Sequence, residues 1–373
     1  MKKILILLLI LSAACKQTYN PPIVSSKKNF VVEEGFINNG PDSTYIRLSQ
    51  TFSLSDTAQL VMILHAQVWV EGNDNSSYSL PEVGNGRYGR VLPPLNPAQK
   101  YRTRVNTPGG KTYLSDYAEL KASPPIDSVS FARTRDGCQI YTNAHDPQST
   151  SHYYRYEYEE TWEFHSVYYS SLAYVNHVIV ARTQDTIFTC WQYANSTNIL
   201  LTSTTKLSED RVSLAPLVLV PTNSWIISVR YSILVRQYVL TQDAYNFWLE
   251  MQKNSERLGS IFDAQPSANK GNIRCVTDST ERVIGYISGG TLQKQRIFIT
   301  PDQIPNWHPG YYTDGCERVD IPAQHDSLEA FLGTGVYIPI TESQSFPLRY
   351  WVGPNDCVDC RLTGTNKKPF YWP

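Results

Sequence analysis

Along most of this chain, apolar and polar positions alternate with a period of two. The runs are short and are separated by turns rich in glycine, asparagine and proline, the pattern of half-buried β-strands. A first block spans residues 30–122. It opens at Phe30-Val31-Val32, and Tyr45-Ile46-Arg47-Leu48 follows the turn Asn38-Asn39-Gly40-Pro41-Asp42. Ala66-Gln67-Val68-Trp69-Val70 runs through Gly72-Asn73-Asp74-Asn75 into the return strand Ser77 to Leu80, and Gly84-Asn85-Gly86 leads into Arg87-Tyr88-Gly89. Tyr101 to Val105 faces Thr112-Tyr113-Leu114 across Pro108-Gly109-Gly110. Short strands spaced by roughly 8–12 residues predict an antiparallel, immunoglobulin-like β-sandwich. The stretch Ala122-Ser123-Pro124-Pro125-Ile126-Asp127 then marks a boundary, because prolines fix φ and donate no ladder hydrogen bond.

The second block, 126–373, reads as a larger β-rich domain with one short α-helix. Tyr154, Tyr156 and Tyr158 alternate with Arg155, Glu157 and Glu159, giving one aromatic and one charged face. Ile227, Val229, Tyr231, Ile233 and Val235 form the longest alternating run. The helix begins at Thr241, a good N-cap, with Leu240 and Tyr245 at the spacing of a hydrophobic staple. Ala244, Phe247, Trp248 and Met251 share one face of it, and it should fade near Asn254. Later strands are expected at Val283 to Ile287 and Arg296 to Ile299, joined around Gly289-Gly290.

The N-terminus carries a different signal. Lys2 and Lys3 precede the apolar run Ile4 to Leu11, then Ser12, Ala13, Ala14 and Cys15. This is the layout of a secretory signal with a cleavage site, and the run is too short to cross a bilayer, which takes about 20 apolar residues. Small residues directly before a cysteine resemble a bacterial lipobox, so residues 1–15 are expected to be a lipoprotein signal peptide with Cys15 as the lipid attachment site. Residues 16–29 then form a polar tether containing Pro21-Pro22.

Export changes the reading of the cysteines. If Cys15 is acylated, six remain: Cys138, Cys190, Cys275, Cys316, Cys357 and Cys360. An even number in an exported chain favours disulfides, with Cys316 expected to join one of the closing pair. Cys357-Val358-Asp359-Cys360 has the CxxC spacing of a zinc or redox pair, but no second CxxC or closely spaced histidine pair accompanies it, and no βαβ setting surrounds it. The net charge of −1 and the lack of a basic stripe give nucleic-acid binding no electrostatic support.

Catalytic signatures such as GxSxG, HExxH or a P-loop do not occur, so no cofactor, metal or catalytic residue is expected. The histidines at 65, 145, 152, 165, 177, 308 and 325 are scattered. The run Glu157 to Glu163 has the carboxylate density of a glycosidase site, but reads more simply as a solvated face opposite aromatic packing. The loops Asn73-Asp74-Asn75 and Asn143 to Asp146 read as turns rather than calcium sites. The density of aromatics at Tyr153, Tyr154, Trp162, Tyr168 and Tyr169 marks a candidate ligand or partner contact, with an aromatic β core as the alternative.

Several segments, taken in order, resemble one family: Val31-Val32-Glu33-Glu34-Gly35-Phe36-Ile37, Pro41 to Ser49, Pro124 to Val129, Arg230 to Tyr238, Asn254 to Pro266, and Asp359 to Pro369. These are similar to the Bacteroidetes lipoproteins named for domain of unknown function 4249. The resemblance implies a lipid-anchored outer-membrane protein, on the surface or the periplasmic face, beside a TonB-dependent receptor barrel. The role implied is accessory: ligand capture, lid or assembly, with a nutrient or peptide as cargo. It supplies no catalytic residues. The other readings of the sequence are a structural or adhesive surface lipoprotein and an envelope glycan or peptide hydrolase.

Overall fold

A computed structural model describes residues 30–51, 61–184, 186–256, 271–310 and 315–373. The leader, Cys15 and the tether lie outside the described residues. The fold is mainly β, with several sheets and a few helices.

The first unit is a 13-stranded sheet that curls around one core. Ile37, Ile46 and Leu48 from one half meet Val68, Val70, Tyr101, Val105 and Tyr113 from the other. The expected turns are in place. Gly72 and Ser76 close the 72–76 turn by a backbone bond of 2.8 Å, and Thr107 and Lys111 close the 107–111 turn. The unit does not end at residue 122, however. Ile273–Cys275 pairs with Thr112–Ser115, and Val283–Ile284 and Ile287–Gly290 lie parallel to Val31–Asn38. A division of the chain at 122/126 therefore misplaces residues 273–290, which complete the first sheet. Gly289 and Gly290 sit inside a strand and do not form a turn. The following strand Gln293–Ile299 belongs to another sheet, where it pairs with Arg230–Val239.

The second unit packs a three-stranded sheet (126–133, 137–145, 211–221) on a five-stranded one built around Tyr153–His165 and Arg230–Val239. Tyr154, Tyr156, Tyr158, Trp162 and Phe164 point into the shared core with Tyr231, Ile233 and Val235. Ile227 is buried there too, but the strand itself starts at Arg230. The helix α1 (Gln242–Glu256) begins as expected: the Ala244 amide donates to Thr241 Oγ1 at 3.3 Å, and Leu240 and Tyr245 fall in one apolar cluster.

A second helix, α2 (His325–Leu332), was not legible in the sequence. It contributes Leu328 and Leu332 to a satellite core under a three-stranded sheet (319–322, 337–343, 349–354). Two buried positions one turn apart are too few to show a helical period.

Among the described residues the chain passes between the units at 122–125 and at 291–292, and these two connectors are bonded to each other. Thr291 N donates to Lys121 O at 2.9 Å, and Ser123 N donates to Thr291 Oγ1 at 2.8 Å. The buried Gln237 donates to Ser123 Oγ and to the Pro124 carbonyl, fixing the connectors to the second core.

One buried carboxyl sets an acid-dependent contribution to stability. Glu33 lies in the first unit at 1% exposure and accepts from Thr103 Oγ1 at 2.5 Å. Burial pushes it up from 4.5 to about 7, partly offset by the Thr103 bond. A carboxyl raised in the folded state favours folding fully below its unfolded value. That contribution fades as pH climbs through about 7. The pH–stability profile of Glu33→Gln, measured by chemical denaturation, should therefore be flatter than wild type between pH 4.5 and 7, with equal or greater stability at pH 8. An unchanged slope would show that Glu33 does not set it.

Candidate functional site

The charged face of the strand Tyr153–His165 points away from its own core. In the second unit's sheet it is continuous with Arg236 and Lys294 on neighbouring strands, through the pairs Glu157↔Arg236 and Arg236↔Lys294. The first unit stands over this face. Between them lies a cleft of about 970 Å³, lined from the first unit by Glu34, Phe36, Tyr45, Arg47 and Arg87 and from the second by Arg155, Glu157, Glu159 and Arg236. Trp248 of α1 and the polar loop 195–199 close one side.

The floor of the cleft is internally neutralised. Glu157 is ion-paired with Arg155 and accepts from the Tyr238 hydroxyl at 2.8 Å. Glu159 receives Arg236 at 3.1 Å and Arg296 at 3.3 Å. The Arg155 guanidinium lies 4.0 Å from the Trp248 ring centroid, a stacked cation on an aromatic face. Lys294 pairs with Asp42 across the two units at 2.5 Å. Further along the same face the C-terminal segment clamps the sheet: Trp372 Nε1 donates to Glu163 at 2.7 Å, and Arg296 sits 3.6 Å over the Tyr371 ring.

The carboxylate run is thereby divided by the strand's pleat. Glu157, Glu159 and Glu163 lie on the outer face, each held by a basic or hydrogen-bond donor partner. Glu160 points into the core, where burial raises it and a 2.7 Å bond from the Tyr231 hydroxyl pulls it part of the way back. Asp74 and Asp146 close turns. Asp74 accepts from the Ser76 amide and hydroxyl, and Asp146 from the Gln148 and Thr150 amides. Among the described residues no group of three or more His, Cys, Asp or Glu is placed to hold a metal ion.

The five aromatics singled out by density do not share a surface. Tyr154 and Trp162 are core residues. Tyr153 packs on Tyr245 at 4.9 Å, and the Tyr168 hydroxyl donates to the Cys316 carbonyl at 2.5 Å. Tyr169 alone is well exposed, with its ring 5.3 Å from Phe188. Alternate strand positions face opposite sides of a sheet, so closeness in sequence scattered them. The aromatics that line the cleft include Phe36, Tyr45, Tyr238 and Trp248, which come from four separate elements.

Four of the six cysteines form two bridges, Cys190–Cys360 and Cys316–Cys357. The expected partner of Cys316 is thus Cys357. The members of the CxxC pair bond outward to separate partners, which leaves neither a redox nor a zinc pair. Cys138 and Cys275 are not bridged: each is a buried thiol in a different core, Cys138 in the second unit and Cys275 in the first. Burial pushes the Cys138 thiol up to about 11.

A mainly β, two-unit fold stapled by long-range disulfides, with an open polar cleft between the units, defines this class of protein. The family model for Domain of unknown function (DUF4249) matches residues 16–296, and the chain belongs to that family. The C-terminal segment 359–369 lies beyond the matched range. No curated protein matches the chain.

Proposed function

We propose that this chain is a lipid-anchored envelope protein that serves as an accessory to an outer-membrane TonB-dependent transporter, holding or presenting a ligand in the cleft between its two units. The observation that carries the reading is the cleft itself. It is open, lined by aromatics and charges, and has a floor whose carboxylates are all engaged, which suits recognition rather than bond cleavage. The apolar run ending in small residues before Cys15 supports export and anchoring, and two disulfides suit an oxidising compartment. The described residues contain no helix long and apolar enough to cross a membrane, so the anchor in this reading is the acyl chains on Cys15, each buried CH₂ contributing about 0.8 kcal/mol.

Two measurements test this. Cys15→Ala should move the protein from the membrane fraction to the soluble fraction. A mild-detergent pull-down of the tagged wild type should bring down a transporter barrel in near-stoichiometric amount. Recovery of the protein without a barrel would reject the partnership and favour an adhesive role, for which the fully exposed Phe346 and Phe370 would be the contact residues.

A further inference from the structure

We propose that Arg47 and Arg87 form an oxyanion-binding fork on the wall of the cleft, which takes a carboxylate group of the ligand held there. The two arginines stand directly opposite each other on the antiparallel strands Thr44–Gln50 and Arg87–Arg90. Directly opposed residues share a face, with Cβ atoms about 5 Å apart, and like charges so placed repel. The other cations facing the cleft have a counter-charge: Arg155 has Glu157, Arg236 has Glu159 and Lys294 has Asp42. Among the described residues Arg47 and Arg87 form no ion pair. Glu34, directly across from Arg47 on the next strand, partly offsets its charge without an ion-pair contact, and Arg87 has no such neighbour. Two adjacent guanidiniums at a cleft wall, with one carboxylate opposite only the first of them, are matched by an anion that accepts from both.

The fork is also built to hold its shape. The Arg87 guanidinium stacks 4.4 Å from the centroid of the Tyr45 ring. Tyr45 can lie across the neighbouring strand because its opposite number is Gly89, where a Cβ would stand 2.2 Å from the ring's Cδ1. Stacking occupies the face of the guanidinium and leaves its in-plane N–H donors free for a planar, bidentate acceptor. Glu34, Glu157 and Glu159 share the cleft, so a singly charged carboxylate is better matched to the local field than a doubly charged phosphate. This inference rests on the cleft as a ligand site and not on the transporter partnership. Loss of the barrel in a pull-down would leave it standing.

The test is calorimetric titration of the folded, non-acylated protein in low-salt buffer, with propionate as the singly charged carboxylate probe and inorganic phosphate as the comparison. Saturable propionate binding, stronger than that of phosphate, is expected. Arg47→Gln and Arg87→Gln should each weaken it about tenfold or more, since a charge-assisted bond is lost. Glu34→Gln should tighten it by removing a competing charge, and Arg135→Gln, at a remote exposed position, should leave it unchanged. Absence of propionate binding, equal binding by wild type and both arginine variants, or a preference for phosphate would overturn the assignment.

Discussion

Replacing Cys190 and Cys360 together by serine is expected to lower the unfolding free energy by about 3–5 kcal/mol, the largest loss from any one feature of this fold. The bridge joins residues 170 apart in sequence with a Cα–Cα distance of 5.8 Å. In the chain-entropy account the constraint on the unfolded state grows with the logarithm of the loop, reaching roughly 5 kcal/mol for a loop of this size. The loss also has a local signature. Cys360 precedes the segment that bridges Trp191 to Thr365 and lays Trp372 on Trp191 and Glu163. Without the bridge the terminal residues 363–373 should be cleaved faster by protease while the first unit stays protected. The Cys316–Cys357 loop spans only 41 residues, so its removal should cost less, about 2–4 kcal/mol. Guanidinium denaturation of both double variants checks the order. Equal stability of wild type and the Cys190→Ser/Cys360→Ser protein would mean that packing of the C-terminal segment alone holds the sheet face.

The second large effect is expected at Gly285. This residue sits between the short strands Val283–Ile284 and Ile287–Gly290 at φ +140°, and a Cβ there would lie 1.9 Å from the Glu33 carbonyl oxygen. A side chain would meet a disfavoured backbone conformation and a backbone clash together. Neither can be relieved without lifting 283–290 off Val31–Asn38. Gly285→Val should therefore cost about 3 kcal/mol or more. Because these strands close the first sheet with residues drawn from late in the chain, the loss should appear as faster amide exchange along both 31–38 and 283–290. Confinement of the change to 283–290 would show that the first unit is stable without its late strands.

Much of the local structure is written in short-range pattern. The turns at 72–76 and 107–111, the N-cap at Thr241, the staple of Leu240 and Tyr245, and the aromatic and charged faces of 153–165 follow from residue periodicity and turn chemistry. These depend on neighbours within a few positions. The same holds for the family resemblance, since its motifs are contiguous. What failed was long-range. The return of 273–290 to the first sheet, the helix at 325–332 and the unbridged state of Cys138 and Cys275 were not legible. The pairing of the cysteines was only half legible: Cys316 was expected to join a closing cysteine, but the link from Cys190 to Cys360 was not.

For the late strands and the cysteines the physical reason is the same, whereas the helix at 325–332 has too few buried positions to show a period. A two- or four-residue strand carries too little pattern to name its partner, and the energy that selects the partner comes from burial against residues 100 to 250 positions away. The cleft shows this most directly. Alternation puts Tyr45 and Arg47 on one face of one strand, and Arg155, Glu157 and Glu159 on one face of another. By itself the sequence thus determined which side chains would be solvated. Only the tertiary structure decided that those two faces would stand across a cleft from each other, and that Arg47 would face Arg87, because register and unit packing are set by the sum of many distant contacts.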